Sequence, residues 1–168
     1  MDFDEIFVPV VKMTSIRTVL SIAASMNLEV EHLDIKMTFL HSDLEEEFYM
    51  QQPEVFVKKG KEHMVCRLKK SLYRLKQAPR QWYWKFDSFM TDQGYHKTHA
   101  DHCLFVKKYD RGDFLILLLY VDDMLIVRQD CIKIGMLQKA LSWSFAMKDM
   151  GPARQILGMH IIRDRSKK

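Results

Sequence analysis

Apolar residues recur at helical spacing from Ile16 through Val19, Leu20, Ala23 and Met26. This predicts a helix capped by Thr14 or Ser15 and closed by Asn27. Residues 29 to 35 alternate only roughly, with Val30, Leu33 and Ile35 apolar, and predict a strand ending near Asp34. Residues 42 to 76 are polar and basic, with short strand candidates at residues 48 to 50 and 64 to 68. Pro79 suits the first turn of a helix. Trp82, Phe86, Phe89 and Met90 continue that helix on one face, and Gly94 closes it. Residues 103 to 107 predict a strand, 110 to 113 a turn, and 114 to 120 a strongly apolar strand. Val121, Asp122 and Asp123 interrupt it, and Met124 to Val127 resume as a third strand. A helix over 131 to 145, weakened by Gly135, and a last strand over 155 to 163 complete the pattern. The order helix, strand, helix, hairpin, helix, strand predicts an α+β domain, an antiparallel sheet covered on one side by helices.

With 168 residues, 48% hydrophobic and 29% charged, the chain can bury one core and is not disordered throughout. Its longest clean apolar run, residues 114 to 121, is far short of the roughly 20 residues of a membrane-spanning helix, so no membrane association is expected. The acidic start, Met1 to Glu5, lacks the basic opening of a secretory signal. Cys66, Cys103 and Cys131 lie far apart without a CxxC pair, which predicts reduced thiols in an intracellular, cytoplasmic protein. No repeat or low-complexity tract breaks the chain. The net charge is only +4, but residues 58 to 80 hold nine basic side chains and one acid, Glu62. Such a tract suits a polyanionic partner, and it equally suits a solvated face.

The chemistry concentrates in carboxylates. Asp122 and Asp123 sit between two apolar strands, and adjacent like charges repel unless a cation relieves them. Magnesium is typically held by one or two carboxylates plus substrate phosphates. The plain alternative is turn chemistry, which favours Asp for its own reasons. Asp34 also stands where an apolar strand ends. Strand-borne acids from distant segments can clamp two metals for in-line phosphoryl transfer, with the basic tract holding a nucleic-acid backbone. Spacing alone leaves open whether the three acids meet.

Three segments make the picture specific: Tyr120-Val121-Asp122-Asp123, the stretch from Leu33 to Leu40, and the stretch from Ser71 to Tyr83. They resemble the reverse transcriptase of copia-type LTR retrotransposons. Residues 7 to 12, residues 145 to 151 and Ile156-Leu157-Gly158-Met159 are similar to the same family, in family order along nearly the whole chain. The resemblance implies the right-hand polymerase fold, mainly palm with part of the fingers. Residues 1–42 would start the palm, 43–76 form a basic fingers-like segment, and 77–168 complete the palm. It implies RNA-directed DNA polymerase activity, with two Mg2+ ions, or Mn2+ in their place, as cofactors. Template-primer of RNA or DNA and deoxynucleoside triphosphates are the implied partners. For an intact element, the implied location is a virus-like particle.

By the same resemblance Asp34, Asp122 and Asp123 are the catalytic acids. Asp34 and Asp122 would bind metal directly, Asp123 would support them, and the Ile35 carbonyl would add an oxygen. Phe39 is implied to be a steric gate against a ribose 2′-hydroxyl, although a core Phe at the start of a short helix fits the same position. Gln77, Tyr120 and Val121 are implied to meet the nucleotide, Lys76 and Arg80 its phosphates, and Lys69 and Lys70 the nucleic acid. Leu157, Gly158 and Met159 resemble the primer grip, or else a core strand with a glycine kink. His96, His99 and His102 read as surface residues, the twelve methionines as apolar filler, and Trp82 as core rather than a base-stacking residue. Trp84 and Tyr83 remain candidates for stacking on bases.

The chain departs from the family pattern at Val8, Met37-Thr38, Ser42, Arg74 and Arg128, the last three standing where glycine is usual. Lost glycines matter where φ is positive or backbones approach closely. The resemblance implies that family members also carry upstream fingers, a thumb-like region and a ribonuclease H domain, which are expected to be missing from this chain. Two functions follow: a polymerase domain, or a truncated remnant that at most binds nucleic acid through residues 58 to 80.

Overall fold

The computed structural model describes residues 8–44, 46–129 and 131–164. Met1 to Glu5 and Phe7 of the first family segment lie outside them. Helix α1, Met13–Ser25, starts before the predicted caps Thr14 and Ser15. Its cap position is Lys12, whose N–H donates to Asp101 Oδ2 at 2.9 Å, so a distant carboxylate replaces the local hydroxyl. Ile16, Val19 and Ala23 are buried as their spacing requires. Met26 is half exposed, because the helix has already ended and Asn27 takes a left-handed φ of 54°.

Strand β1, Glu29–Ile35, buries Leu33 and Ile35 and leads through a short 3-10 helix, Thr38–His41, into the basic segment. There β2, Tyr49–Gln51, and β3, Val65–Arg67, form a separate antiparallel ribbon whose residues are all exposed. Helix α2, Ala78–Asp92, has Gln77 at its cap and Pro79 in its first turn. It buries Trp82, Tyr83, Phe86 and Met90, with Phe89 half-buried, and Gly94 turns the chain with φ of 77°. Tyr83 is thereby committed to the core, its hydroxyl donating to the His102 carbonyl at 2.9 Å, while Trp84 stays exposed. His96, His99 and His102 are exposed.

The strands β4, His96–Lys97, β5, Leu104–Lys108, β6, Phe114–Tyr120, and β7, Asp123–Arg128, follow. After them come α3, Cys131–Ser144, and β8, Met147–Pro152. One six-stranded antiparallel sheet runs β4-β5-β6-β7-β1-β8. The chain is therefore a mixed α and β domain with three α-helices and an antiparallel sheet among the described residues. Strand β8 has no counterpart in the hydrophobic pattern, since Lys148, Asp149 and Met150 are exposed and Gly151-Pro152 reads as a turn. It exists because the β1 edge needs a partner.

The single strand expected over 155 to 163 is instead a tight hairpin. Strands β9, Gln155–Ile156, and β10, Met159–His160, pair around Leu157 and Gly158, both at positive φ, as a two-residue turn of this hand demands. Cys66 is an exposed and Cys103 a buried free thiol, and burial pushes the Cys103 thiol up to about 12. No helix of the described residues is long and apolar enough to cross a membrane.

The three replaced glycines divide sharply. Arg74 holds φ of 79°, a backbone that disfavours any Cβ. Ser42 is in extended backbone and Arg128 lies within β7, so neither needs glycine for its conformation. Arg128 is fully buried, paired with Asp113 and stacked on Tyr109 at 4.1 Å from the ring centre. Arg74→Gly is therefore expected to stabilise the chain by up to about 1 kcal/mol. Urea unfolding will check this; an unchanged or lower midpoint would contradict it.

Candidate active site

The site forms where β1 ends beside the β6–β7 turn. The strand register sets Asp34 directly opposite Asp123, and Tyr120 opposite Asp123 on the other side. Directly opposed residues in an antiparallel pair share a face, so both acids project from one side of the sheet. Val121 and Asp122 form the two-residue turn between β6 and β7, with Val121 at a left-handed φ of 55°. A β-branched residue is strained there. Two hydrogen bonds hold the turn from opposite sides. The buried Trp82 indole N–H donates to the Val121 carbonyl at 2.9 Å, and the Ile35 N–H donates to the Asp122 carbonyl at 2.9 Å. Trp82 is seated by ring contacts with Phe145 and Phe86.

The electrostatics follow from this crowding. Burial raises the Asp122 carboxyl above its ordinary range, and the negative charges of Asp123 and Asp34 raise it further. Asp123 has a partner of its own: His32 Nε2 lies 2.7 Å from Asp123 Oδ1. Thr38 Oγ1 donates to the Ile35 carbonyl at 2.8 Å, leaving that oxygen one lone pair. Among the described residues, no three His, Cys, Asp or Glu side chains gather as a preformed metal cage. The donor set nevertheless fits a hard divalent cation that takes one or two carboxylates and completes its shell from substrate phosphate and water.

The other expected residues take these places. Phe39 lies in the short 3-10 helix, largely buried, with its ring 4.6 Å from that of Tyr73. Gln77 is half-buried at the α2 cap and Lys76 is exposed. Arg80 lies over the Trp84 ring at 4.0 Å. Lys70 pairs with Asp43, while Lys69 is exposed. No hydrogen bond or ion pair joins Lys69, Lys70, Lys76, Gln77 or Arg80 to the three acids among the described residues. Leu157 of the β9–β10 turn shares a cleft with one of them, Asp123. It lines, with His32, Asp123, Met150 and Arg154, a cleft of about 620 Å³.

His32, Trp82 and Thr38 were not singled out as site residues by sequence. For His32 a signal existed: on a strand, residue 32 shares a face with residue 34. The Trp82 and Thr38 contacts join backbone carbonyls, which no residue pattern encodes.

The raised Asp122 carboxyl yields a stability prediction with a definite sign. A carboxyl raised in the folded state favours folding while protonated, and that contribution is lost as pH rises through the folded value. At neutral pH, ionised Asp122 therefore opposes folding of the metal-free chain. Asp122→Asn is expected to raise the melting temperature in EDTA by about 1–3 °C at pH 7, a modest figure because the group is partly solvated. The gap should close below the ordinary carboxylate range. A lower melting temperature for the Asn variant at pH 7 would contradict the crowding.

Comparison with known proteins places this geometry. Residues 1–167 match the family model described as reverse transcriptase (RNA-dependent DNA polymerase). The chain is 66% identical over 166 residues to the retrovirus-related Pol polyprotein from transposon TNT 1-94 of Nicotiana tabacum, covering 99% of this chain and 12% of that protein. It is 38% identical over 163 residues to the Pol polyprotein from transposon RE2 of Arabidopsis thaliana, covering 97% and 11%. It is 32% identical over 117 residues to the truncated transposon Ty1-A Gag-Pol polyprotein of Saccharomyces cerevisiae, covering 69% and 9%. The chain thus spans about an eighth or less of these relatives. With Asp34 and Asp123 on adjacent strands, Asp122 in the turn beside them and the match running over residues 1–167, this protein belongs to the reverse transcriptase family of copia-type retrotransposon Pol polyproteins.

Proposed function

We propose that the chain is the palm, with part of the fingers, of an RNA-directed DNA polymerase that joins deoxynucleoside monophosphates to a primer 3′-hydroxyl. The observation that carries this reading is the β1–β7 register, which sets Asp34 against Asp123 and beside Asp122. Two magnesium ions, or manganese in their place, would be held by Asp34 and Asp122 and would supply charge neutralisation and a more acidic 3′-hydroxyl. Asp123 supports the pair electrostatically, and the free lone pair of the Ile35 carbonyl can serve as a further oxygen donor.

The remaining residues bind and orient. Tyr120 and Val121 flank the acids and floor the nucleotide site. Phe39 presents apolar bulk where a 2′-hydroxyl would find no partner, Gln77 meets the sugar, and Lys76 and Arg80 meet phosphate. Leu157 lines the cleft beside Asp123, and with Gly158 and Met159 it would bring backbone close to the primer end. Lys69 and Lys70 lie on the basic segment, which tracks the template-primer backbone. Residues 1–42 and 77–168 build the palm, 43–76 the fingers-like segment, and further polyprotein segments supply more fingers, a thumb and ribonuclease H. The working location is the cytoplasm, within a virus-like particle.

A second reading, a remnant without activity of its own, is favoured by the strained Arg74. Positioning of primer and triphosphate within roughly 3–3.5 Å of reaction geometry needs more contacts than a palm supplies. Primer extension with magnesium or manganese, with Asp122→Asn as the blank, separates the readings. The chain alone is expected to give no processive products, and any single-nucleotide addition should vanish in the Asp34→Asn and Asp122→Asn variants. Addition equal in wild type and Asp122→Asn would reject the polymerase reading. Robust multi-nucleotide extension abolished by Asp122→Asn would reject the remnant.

Nucleic-acid binding is expected to weaken steeply with salt, because each neutralised phosphate releases counterions. Neutralising Lys69, Lys70, Lys76 and Arg80 together should lower the slope of log affinity against log salt by about 0.7–0.9 for each phosphate that they pair with in the complex. Fluorescence anisotropy at several salt concentrations measures this. An unchanged slope would remove the basic tract from the contact surface.

A further inference from the structure

We propose that His32 is a positioning residue that holds the third acid, Asp123, out of the metal pair, so that Asp34 and Asp122 alone remain open to a cation. This rests on the polymerase reading of the same site. The geometry begins with strand periodicity. His32 and Asp34 lie on one face of β1, and Asp34 opposes Asp123 in the register. His32 is therefore the diagonal neighbour of Asp123, within reach of a ring though not of a short side chain. It makes that contact, Nε2 to Oδ1, at 2.7 Å, with His32 17% and Asp123 38% exposed at the side chain.

The other flank of His32 is shaped for it. The β1–β8 pairing shifts register between His32 and Leu33: Asp149 opposes Leu33, Gly151 opposes His32, and Met150 falls between. Such a bulge re-aims side chains at a sheet's edge. Gly151 sits at φ of 70° and places no side chain against the imidazole. His32 and Asp123 together line the cleft beside the β9–β10 turn.

The consequence concerns ligand number. Three ionised carboxylates on one corner of a sheet would form a denser anionic cage, and cation affinity rises with the number of charged oxygen ligands. Here no such cage of three forms among the described residues. With the ring donating Nε2–H, Asp123 is tied to the residue 32 side, and the open ligands number two, leaving coordination positions for substrate oxygens. A neutral imidazole suffices, so the restraint does not depend on a proton being gained.

The test is Mn2+ binding by the full chain, followed by the electron paramagnetic resonance of free Mn2+ at one fixed pH, without nucleotide or primer. His32→Leu frees Asp123 and is expected to tighten Mn2+ binding by at least about threefold. The gain should vanish in the His32→Leu/Asp123→Asn double variant. His32→Gln, whose amide can still donate, should return affinity toward wild type. Asp123→Asn alone removes a nearby charge but no open ligand, so it should weaken Mn2+ binding far less than Asp34→Asn or Asp122→Asn, and this arm holds even if His32→Leu fails to fold. Equal or weaker binding by folded His32→Leu, a gain that persists without Asp123, or a loss in Asp123→Asn as large as that in Asp34→Asn would each overturn the proposal. Wild-type binding by Asp34→Asn would instead reject the metal site itself, and the role of His32 with it.

Discussion

Everything at the site depends on the antiparallel register between β1 and β7. Side chains on a strand alternate faces, so a slip of one residue would carry Asp34 to the far side of the sheet from its partners. The register is held by burial on β1, where Leu33 and Ile35 are almost wholly removed from water and Asp34 between them is not. Moving either of them to the solvent face would forfeit about 1.5–3 kcal/mol per side chain. Apolar packing thus fixes where the charges lie, although the charges themselves repel.

The turn of Val121 and Asp122 needs a second kind of support. Its left-handed valine costs about 1–2 kcal/mol. Donors from two distant segments meet its carbonyls, Trp82 from α2 and Ile35 from β1. The indole can only donate, and being buried it must find an acceptor. Trp82 satisfies its own need and the turn's together, so helix α2 serves the site although it contributes no acid.

Much of this was legible in the sequence. The 3.6 spacing of Trp82, Phe86 and Met90 and the apolar run from Phe114 to Tyr120 gave helix and strand nearly at their observed bounds, because burial of one face or of both drives those elements. The acids stood out because charge interrupting an apolar strand needs a reason. Strand β8 was not legible, since its stability comes from pairing with β1 rather than from its own exposed residues. The β9–β10 hairpin was hidden because Leu157, an unusual residue for a left-handed position, reads as a continuing strand rather than as the first residue of a turn. Distance in sequence hid the capping of α1 by Asp101.

The replaced glycines show why a family pattern cannot be scored position by position. The same change, glycine to arginine, has opposite physical meaning at its two occurrences. At Arg74 the backbone keeps the left-handed shape that glycine favours, and the exposed side chain brings no compensating contact among the described residues. At Arg128 the backbone is an ordinary strand, and the guanidinium is enclosed by Asp113 and Tyr109. A buried cation is tolerated only when such partners exist, and removing one would leave an uncompensated charge in the core. Arg128 therefore binds the β5–β6 connection to the strand that carries Asp123. A substitution that looks like decay in one dimension becomes, in three, a tie between the β5–β6 connection and the interior strand whose other end carries Asp123.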